Sequence, residues 1–249
     1  MTSRLGAVLG LIALPAILLG QATEAVDFEF SNNAQGTTGG NRFDQEIGQS
    51  GALEIMDSST KFIWDTFQQQ SAADRKNVVK VTLIIESMEC ISYTSADEIH
   101  LSADYVGSYG GDVKAEIRGV LYHEMTHVWQ WNGQGNAPDG LIRGIADYVR
   151  LTAGLAPPHW VKPGSGDKWY HGYEVTAYFL QYCDSISSGF VANINAKMAS
   201  GWDLGFFIDL TGKSVDQLWS DYKNTKYASS DKIVTVSVFL VIVIKEQLI

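Results

Sequence analysis

The sequence predicts an α+β fold in a single domain, with a small β-sheet formed early and a mainly helical second half. The three predicted strands all lie before residue 104, whereas apolar residues after residue 112 mostly recur at helical spacing through Lys223. Strands followed by helices, rather than strict alternation, are typical of α+β proteins. The chain has 249 residues, with no repeat and no long linker, and this length suffices for one substantial core.

Three strands are predicted in the first half. Phe28 and Phe30 alternate with acidic residues, as in a half-buried strand, and residues 78–86 (V-V-K-V-T-L-I-I-E) are rich in β-branched side chains. A third strand is predicted at 98–103. Between the first two strands, apolar residues at helical spacing predict a helix; they are Leu53, Ile55, Phe62, Ile63 and Phe67.

Residues 1–25 are typical of a secretory signal peptide. A basic residue precedes a short apolar run, and small residues suited to cleavage lie at Ala22 and Ala25. The apolar run, 5–19, is shorter than the roughly 20 residues that span a membrane, and Pro15 interrupts it. We therefore expect a secreted, extracellular protein without a stable membrane anchor.

Charge and cysteine content narrow the expected partners and cross-links. The formal net charge is -10 at pH 7, and an acidic protein is a poor partner for nucleic acid or anionic lipid. We expect neither as a partner. Cys90 and Cys183 either pair in an oxidising compartment or pack as two buried free thiols.

The segment from Asp112 to Trp131 contains no proline and carries apolar residues at helical intervals, so H-E-M-T-H should lie on a helix. The four-residue spacing puts His123 and His127 on one face, where both imidazoles reach one cation. Glu124 then lies beside the metal, placed to take a proton from a water whose pKa zinc lowers toward roughly 7. The alternative is two core histidines with incidental spacing.

A catalytic zinc normally takes a third protein ligand. A turn, W-N-G-Q-G-N-A-P-D-G, separates the first helix from a second predicted helix, L-I-R-G-I-A-D-Y-V-R-L. Positions 143 and 147 share one face of that second helix.

Two neighbouring stretches are specific enough to compare with known families: H-E-M-T-H-V-W-Q-W-N-G and A-P-x-G-L-I-x-G-I-A-D-Y-V-R-L. Together with N-N-A-Q-G-T-T-G-G-N-R-F-D-Q-E-I-G (32–48) and V-D-Q-L-W-S-D-Y (215–222), they resemble the plant basic secretory protein family, zinc metallopeptidases linked to defence. The resemblance covers residues 26–227. It implies a zincin-like fold, residence in the apoplast or cell wall, and Zn²⁺ on His123 and His127 with Glu124 as general base.

The chain departs from the family pattern at Arg143, where members usually carry glutamate. Their E-x-x-x-D pattern resembles the third-ligand helix of thermolysin-like enzymes, in which glutamate binds zinc and aspartate supports a histidine. The family aspartate that supports a histidine matches Asp147. A guanidinium cannot lose its proton at working pH, so Arg143 places a permanent cation in the expected third-ligand position. Either Arg143 pairs outward with Asp147, leaving two histidines and water for zinc, or Asp147 or Glu174 turns inward as a substitute ligand.

Other candidate residues each have a structural alternative. Tyr173 would donate a hydrogen bond to the oxyanion of a peptide transition state, although a tyrosine between a glycine and a helix also suits packing. His159 and His171 either bind substrate or are exposed loop residues, and His100 is predicted on an edge strand that a peptide can extend. Four tryptophans either line the cleft or fill the core: Trp129, Trp131, Trp160 and Trp169.

The segment 228–249 matches nothing in that family. Its stretch 233–244 is apolar and β-branched, too short for a spanning helix of roughly 20 residues and prone to aggregation if exposed. The expected division is therefore a signal peptide (1–25), a peptidase domain (26–227) and a divergent tail (228–249).

The expected function is peptide-bond hydrolysis by zinc-activated water in a secreted, monomeric metallopeptidase with peptide or protein substrates. The alternative is a catalytically degenerate family member that binds extracellular peptides or other partners in defence. A zinc hydrolase acting on another class of substrate is a third possibility, because H-E-x-x-H alone does not define the substrate.

Overall fold

The computed structural model describes residues 26–225; the predicted signal peptide and the tail from residue 228 lie outside this range. Its strands are β1 (Asp27–Asn32), β2 (Lys80–Glu86), β3 (Ser92–Ser95) and β4 (Glu98–Ser102). Its helices are α1 (Thr38–Glu46), α2 (Gly48–Thr66), α3 (Ala103–Ser108), α4 (Val113–Trp129), α5 (Asp139–Thr152), α6 (Tyr173–Ile186), α7 (Phe190–Met198), α8 (Phe206–Thr211) and α9 (215–225). The predicted α+β class is confirmed.

The four strands form one sheet in the order β1-β2-β4-β3. β1, β2 and β4 run parallel, and α1 and α2 form the crossover that two parallel strands require. β3 is antiparallel to β4. The two are joined by Ala96 and Asp97, which both have positive φ (49° and 61°), as in the mirror-image turns that suit the twist of a hairpin.

This topology corrects one prediction. His100 lies on β4, which is paired on both sides, by β2 and by β3. The edge strand on this side of the sheet is instead β3, a four-residue segment whose sequence, S-Y-T-S, is too short to show a clear periodicity. A peptide that extends this side of the sheet would therefore pair with β3 and not with the strand that carries His100.

The core lies between the sheet and the helices. On β2, Val81, Leu83 and Ile85 are fully buried and alternate with partly exposed residues, so one face of the sheet packs inward. Helix α4 contacts α2, α5 and β3, and most of its residues are buried. It is therefore the central helix of the domain, and its position places the H-E-M-T-H segment at the junction of sheet and helices.

Helices α5 and α6 pack closely, and a glycine permits the contact. A Cβ added at Gly144 would lie 2.2 Å from Cγ2 of Thr176, far inside van der Waals distance.

The two cysteines do not pair. Cys90 is exposed and Cys183 is buried, and both thiols are free, so the structure contains no Cys90–Cys183 disulfide. Between residues 26 and 225 no helix has the length and apolarity to cross a membrane.

Candidate active site

Helix α4 presents His123 and His127 side by side at the floor of a cleft. Their Nε2 atoms are 3.1 Å apart, and the rings meet edge to face with an angle of 81° between their planes. His123 is buried, with 8% of its surface exposed. The one-turn spacing therefore produces two convergent nitrogens, as the sequence predicts.

The other nitrogen of each ring is held by a polar side chain. Nδ1 of His123 lies 2.6 Å from Oδ1 of the buried Asp147 on α5, and Nδ1 of His127 lies 2.7 Å from the side-chain amide of Gln130. Partners on Nδ1 that leave Nε2 facing a common point are typical of metal-binding histidines. Asp147 therefore supports a histidine, the role that the family resemblance implies for it.

The Gln130 amide bears on the protonation of His127. Its Oε1 is buried and has no hydrogen-bond partner within the described residues. A half-turn of the amide brings Oε1 to Nδ1, where it accepts the Nδ1 proton and leaves the Nε2 lone pair free for a metal.

Electrostatics favour the neutral form of His127. Burial lowers the pKa of its imidazole well below the ordinary value, and the positive charges of His123 and Arg143 lower it further. His127 is therefore uncharged at neutral pH, the form that ligates metals. Burial also acts to lower the pKa of His123, but the charge and hydrogen bond of Asp147 outweigh it, and the net pKa lies above the ordinary value.

The Glu124 carboxylate is fixed to the edge strand. The hydroxyl of Ser92 donates to one carboxylate oxygen and that of Thr94 to the other, each at 2.6 Å. The side chain is almost fully buried. Each oxygen still has a lone pair with which to accept a further proton. Sequence reasoning missed both hydroxyls, since nothing in the order of residues places β3 beside α4.

Arg143 points into the cleft from α5, and its side chain is exposed. Its Nη1 donates to the hydroxyl of Tyr173 at 2.7 Å, and its guanidinium lies 5.4 Å from the centre of that ring. Asp147 is occupied by His123, so the outward Arg143–Asp147 pair considered for the sequence is not formed. The carboxylate of Glu174, the other substitute ligand considered, accepts from the backbone N–H of Val161 at 3.5 Å. Residues 26–225 contain no group of three acidic, histidine or cysteine side chains suited to hold a metal.

Tyr173 is part of the cleft wall and not of the core. It opens α6 after Gly172, is 45% exposed, and has φ of +49°. Its ring lies nearly parallel to that of His123, with centroids 6.2 Å apart. The Tyr173 side chain therefore contacts both His123 and Arg143 at the surface of the cleft.

The cleft has a volume of about 700 Å³ and is bounded by β3, α4, α5 and the start of α6. Trp160 and His159 also line it, whereas Trp129 and Trp169 are buried in the core.

A buried ion pair connects α4 and α5 near the two histidines. Arg150 of α5 donates to the Glu116 carboxylate of α4 at 2.9 Å, and both side chains are buried. This ion pair joins the helices that carry the histidines and Asp147.

The Nε2 atoms of His123 and His127 fit two of the ligand positions of a single tetrahedral zinc ion. Two nitrogen ligands of a tetrahedral zinc, each at about 2.0–2.1 Å from the metal, are roughly 3.3 Å apart. The separation of 3.1 Å between the two Nε2 atoms is close to that value. Arg143, which occupies the sequence position expected for the third ligand, lines the same cleft and is a permanent cation without a lone pair to donate. The histidine pair thus fits zinc, and within residues 26–225 no third acidic, histidine or cysteine ligand joins it, whereas a catalytic zinc normally takes three.

Two comparisons with known proteins found a match. The family model BSP, described as peptidase of plants and bacteria, matches residues 23–222. A protein of Boswellia serrata named Basic secretory protease is 41% identical over 56 residues, which are 22% of this chain and 62% of that protein. The match thus covers less than two thirds of this curated relative. No solved structure matches the chain.

Proposed function

The chain belongs to the BSP family of peptidases of plants and bacteria, and on that premise we propose that its cleft binds peptides and hydrolyses them with a zinc ion held by His123 and His127. The observation that carries the proposal is the convergence of the two Nε2 atoms, with both Nδ1 atoms held by other side chains. The sheet with an antiparallel edge strand beside α4 supports the finer assignment to a zincin-like fold.

Glu124 and Tyr173 have complementary places in this reaction. When bound, zinc supplies Lewis acidity, which lets water lose a proton near neutral pH. Glu124 accepts that proton and later delivers one to the leaving amine. The Tyr173 hydroxyl accepts from Arg143, so its own proton is free to be donated to the carbonyl oxygen of the peptide.

The free edge of β3 is the place where a peptide backbone would bind. The N–H of Ser102 donates to the carbonyl of Ile91, and hydrogen-bonded and non-bonded pairs alternate along an antiparallel ladder. The backbone groups of Ser92 and Thr94 therefore face away from β4. Because β3 lines the cleft, a peptide that pairs with this edge would lie along the cleft floor.

Zinc titration of the purified protein, together with cleavage of casein and of a quenched fluorescent peptide mixture, tests the proposal. We expect zinc binding and zinc-dependent cleavage that a chelator abolishes. Cleavage unaffected by chelation, or no zinc binding even at millimolar concentration, would contradict the metal assignment.

Arg143 favours a second candidate function, a peptide-binding protein with little catalysis. A cation at the third-ligand position opposes a divalent ion and supplies no lone pair. Arg143→Glu separates the two candidates, since it removes the positive charge and adds a ligand. We expect zinc affinity to rise at least about tenfold, or about 1.4 kcal/mol.

Cleavage and zinc binding are measured in Arg143→Glu and in Asp147→Asn, and the two variants are compared. If cleavage appears only in Arg143→Glu, the wild-type protein lacks catalysis, as the second candidate function requires. If wild type already cleaves and Arg143→Glu changes little, while Asp147→Asn loses zinc, Asp147 is itself a ligand and the geometry of the resting site must rearrange.

Extracellular residence and a role in defence are also proposals. The relative from Boswellia serrata carries the word secretory in its name, and the first 25 residues have the composition of a signal peptide. Expression in a eukaryotic host followed by N-terminal analysis of the medium tests this. We expect a mature chain that begins at Thr23 or Val26, and retention of residues 1–22 would contradict it.

A further inference from the structure

Arg143 has an unused capacity to bind an anion. One N–H of its guanidinium is engaged by Tyr173, and a guanidinium has five. Among the described residues no carboxylate lies within 4.0 Å of it, although Asp139 and Asp147 flank it one helical turn away on either side. Asp147 is held by His123. Unlike Arg143, Arg42 and Arg150 each pair with a carboxylate, Glu46 and Glu116 respectively.

The guanidinium is also held in place before any ligand arrives. Tyr173 contacts it through its hydroxyl and through its ring face, at 2.7 Å and 5.4 Å. The tyrosine itself adopts a left-handed backbone conformation, φ +49°, which costs free energy for a residue with a side chain. Because Tyr173 packs beside His123, the cation is presented next to the histidine pair, at an exposed position in the cleft wall.

We propose that Arg143 and Tyr173 form a carboxylate-binding site that selects peptides with an acidic group at the position that contacts α5. A guanidinium fork matches a carboxylate in two parallel hydrogen bonds, which favours this ligand over a neutral amide. The inference rests on the proposed function, since it assumes that peptides occupy the cleft. The carboxylate comes either from the C-terminus of a peptide or from an aspartate or glutamate side chain.

Peptide binding without catalysis tests the site and separates the two sources. Four fluorescein-labelled hexapeptides of one apolar sequence are titrated with the full-length protein, without added metal: a free acid, its C-terminal amide, and an amide with either Glu or Gln at a central position. We expect one acidic member to bind about five- to tenfold more tightly than its neutral counterpart. A preference for the free acid indicates C-terminal recognition, and a preference for Glu over Gln indicates side-chain recognition.

Arg143→Gln is the critical variant, with Arg118→Gln as its matched control, since Arg118 is an exposed arginine of α4 that does not line the cleft. Arg143→Gln should abolish the preference and leave the affinity for the neutral peptides within about twofold. Arg118→Gln should preserve the preference. Tyr173→Phe keeps the ring but removes the hydroxyl, and should reduce the preference only in part.

The results that would overturn the carboxylate site differ from those that would overturn peptide binding in the cleft. Equal affinities for acidic and neutral peptides, or a preference that survives Arg143→Gln, overturn the carboxylate site while leaving peptide binding intact. If none of the four peptides binds at millimolar concentration, peptide binding in the cleft is wrong, and the site falls with it.

Discussion

At the residue scale, the site consists of a histidine pair whose geometry is maintained entirely by protein groups. Asp147 and Gln130 hold the two Nδ1 atoms, and Ser92 and Thr94 hold Glu124. Four side chains thus orient the two imidazoles and the carboxylate of the site.

Replacing one histidine should remove bound zinc. We expect His123→Ala to lower zinc affinity by at least about a hundredfold, because it deletes one of two ligands and frees Asp147. Metal analysis after dialysis measures this. His159→Ala, which changes an exposed histidine of the same cleft, is the control and should retain zinc; equal zinc content in both variants would exclude His123 as a ligand.

Glu124→Gln should separate metal binding from hydrolysis. The amide retains the shape of the side chain but cannot accept a proton from water. We expect zinc affinity to change less than about threefold and cleavage to fall by about 10²–10⁴-fold, the usual contribution of a general base. The measurement is steady-state cleavage in wild type, or in the Arg143→Glu background if wild type is inactive. Full activity in Glu124→Gln would place the base elsewhere.

Spacing within one helix was sufficient to predict the convergence of His123 and His127. Asp147, at the family's aspartate position, was predicted through the resemblance. Ser92 and Thr94 were not predictable, because their contact with Glu124 spans about thirty residues and depends on how β3 docks against α4. The interaction of Arg143 with Tyr173 depends in the same way on the packing of α5 against α6.

At the element scale, the relative position of α5 and α6 brings Arg143 to Tyr173. The close approach of these helices at Gly144 and Thr176 fixes that position. The predicted strands β1, β2 and β4 and the helices α2, α4 and α5 were each found, since they are long enough to show a period. The short β3, α1 and α3 carry too few residues to do so, and their structure follows from their neighbours.

Gly144→Ala should destabilise the domain. The added Cβ would overlap Thr176, and overpacking of this kind costs typically about 1–3 kcal/mol, more than the roughly 1 kcal/mol that alanine gains over glycine in a helix. Urea denaturation measures the free energy of unfolding. Gly51→Ala in α2 is the control, because its nearest neighbour is a side-chain methyl at 3.3 Å, and it should be neutral or stabilising. Equal effects in the two variants would contradict the close-packing argument.

At the scale of the whole molecule, zinc binding should appear as thermal stabilisation. A ligand that binds only the folded state stabilises it by about 2.7 kcal/mol when its concentration is 100 times its Kd. The buried Glu116–Arg150 pair links α4 to α5, so stabilisation at the site should extend to the cooperative unfolding of the domain.

We therefore expect the Tm to rise with zinc in wild type, to rise further at equal zinc concentration in Arg143→Glu, and to be unaffected in His127→Ala. Differential scanning calorimetry at several zinc concentrations provides the measurement. A Tm rise that persists in His127→Ala would show that zinc stabilises the protein from another site.

The open edge of β3 also has a signature in the exchange of amide protons with solvent. In the free protein the amides of Ser92 and Thr94 face away from β4 and should exchange rapidly, whereas those of Tyr93 and Ser95 point toward β4 and should be protected. Four successive residues would thus alternate between fast and slow exchange. A bound peptide strand would slow the fast pair and leave the slow pair unchanged, so deuterium uptake at single-residue resolution would show where a substrate lies even in a protein that never cleaves it.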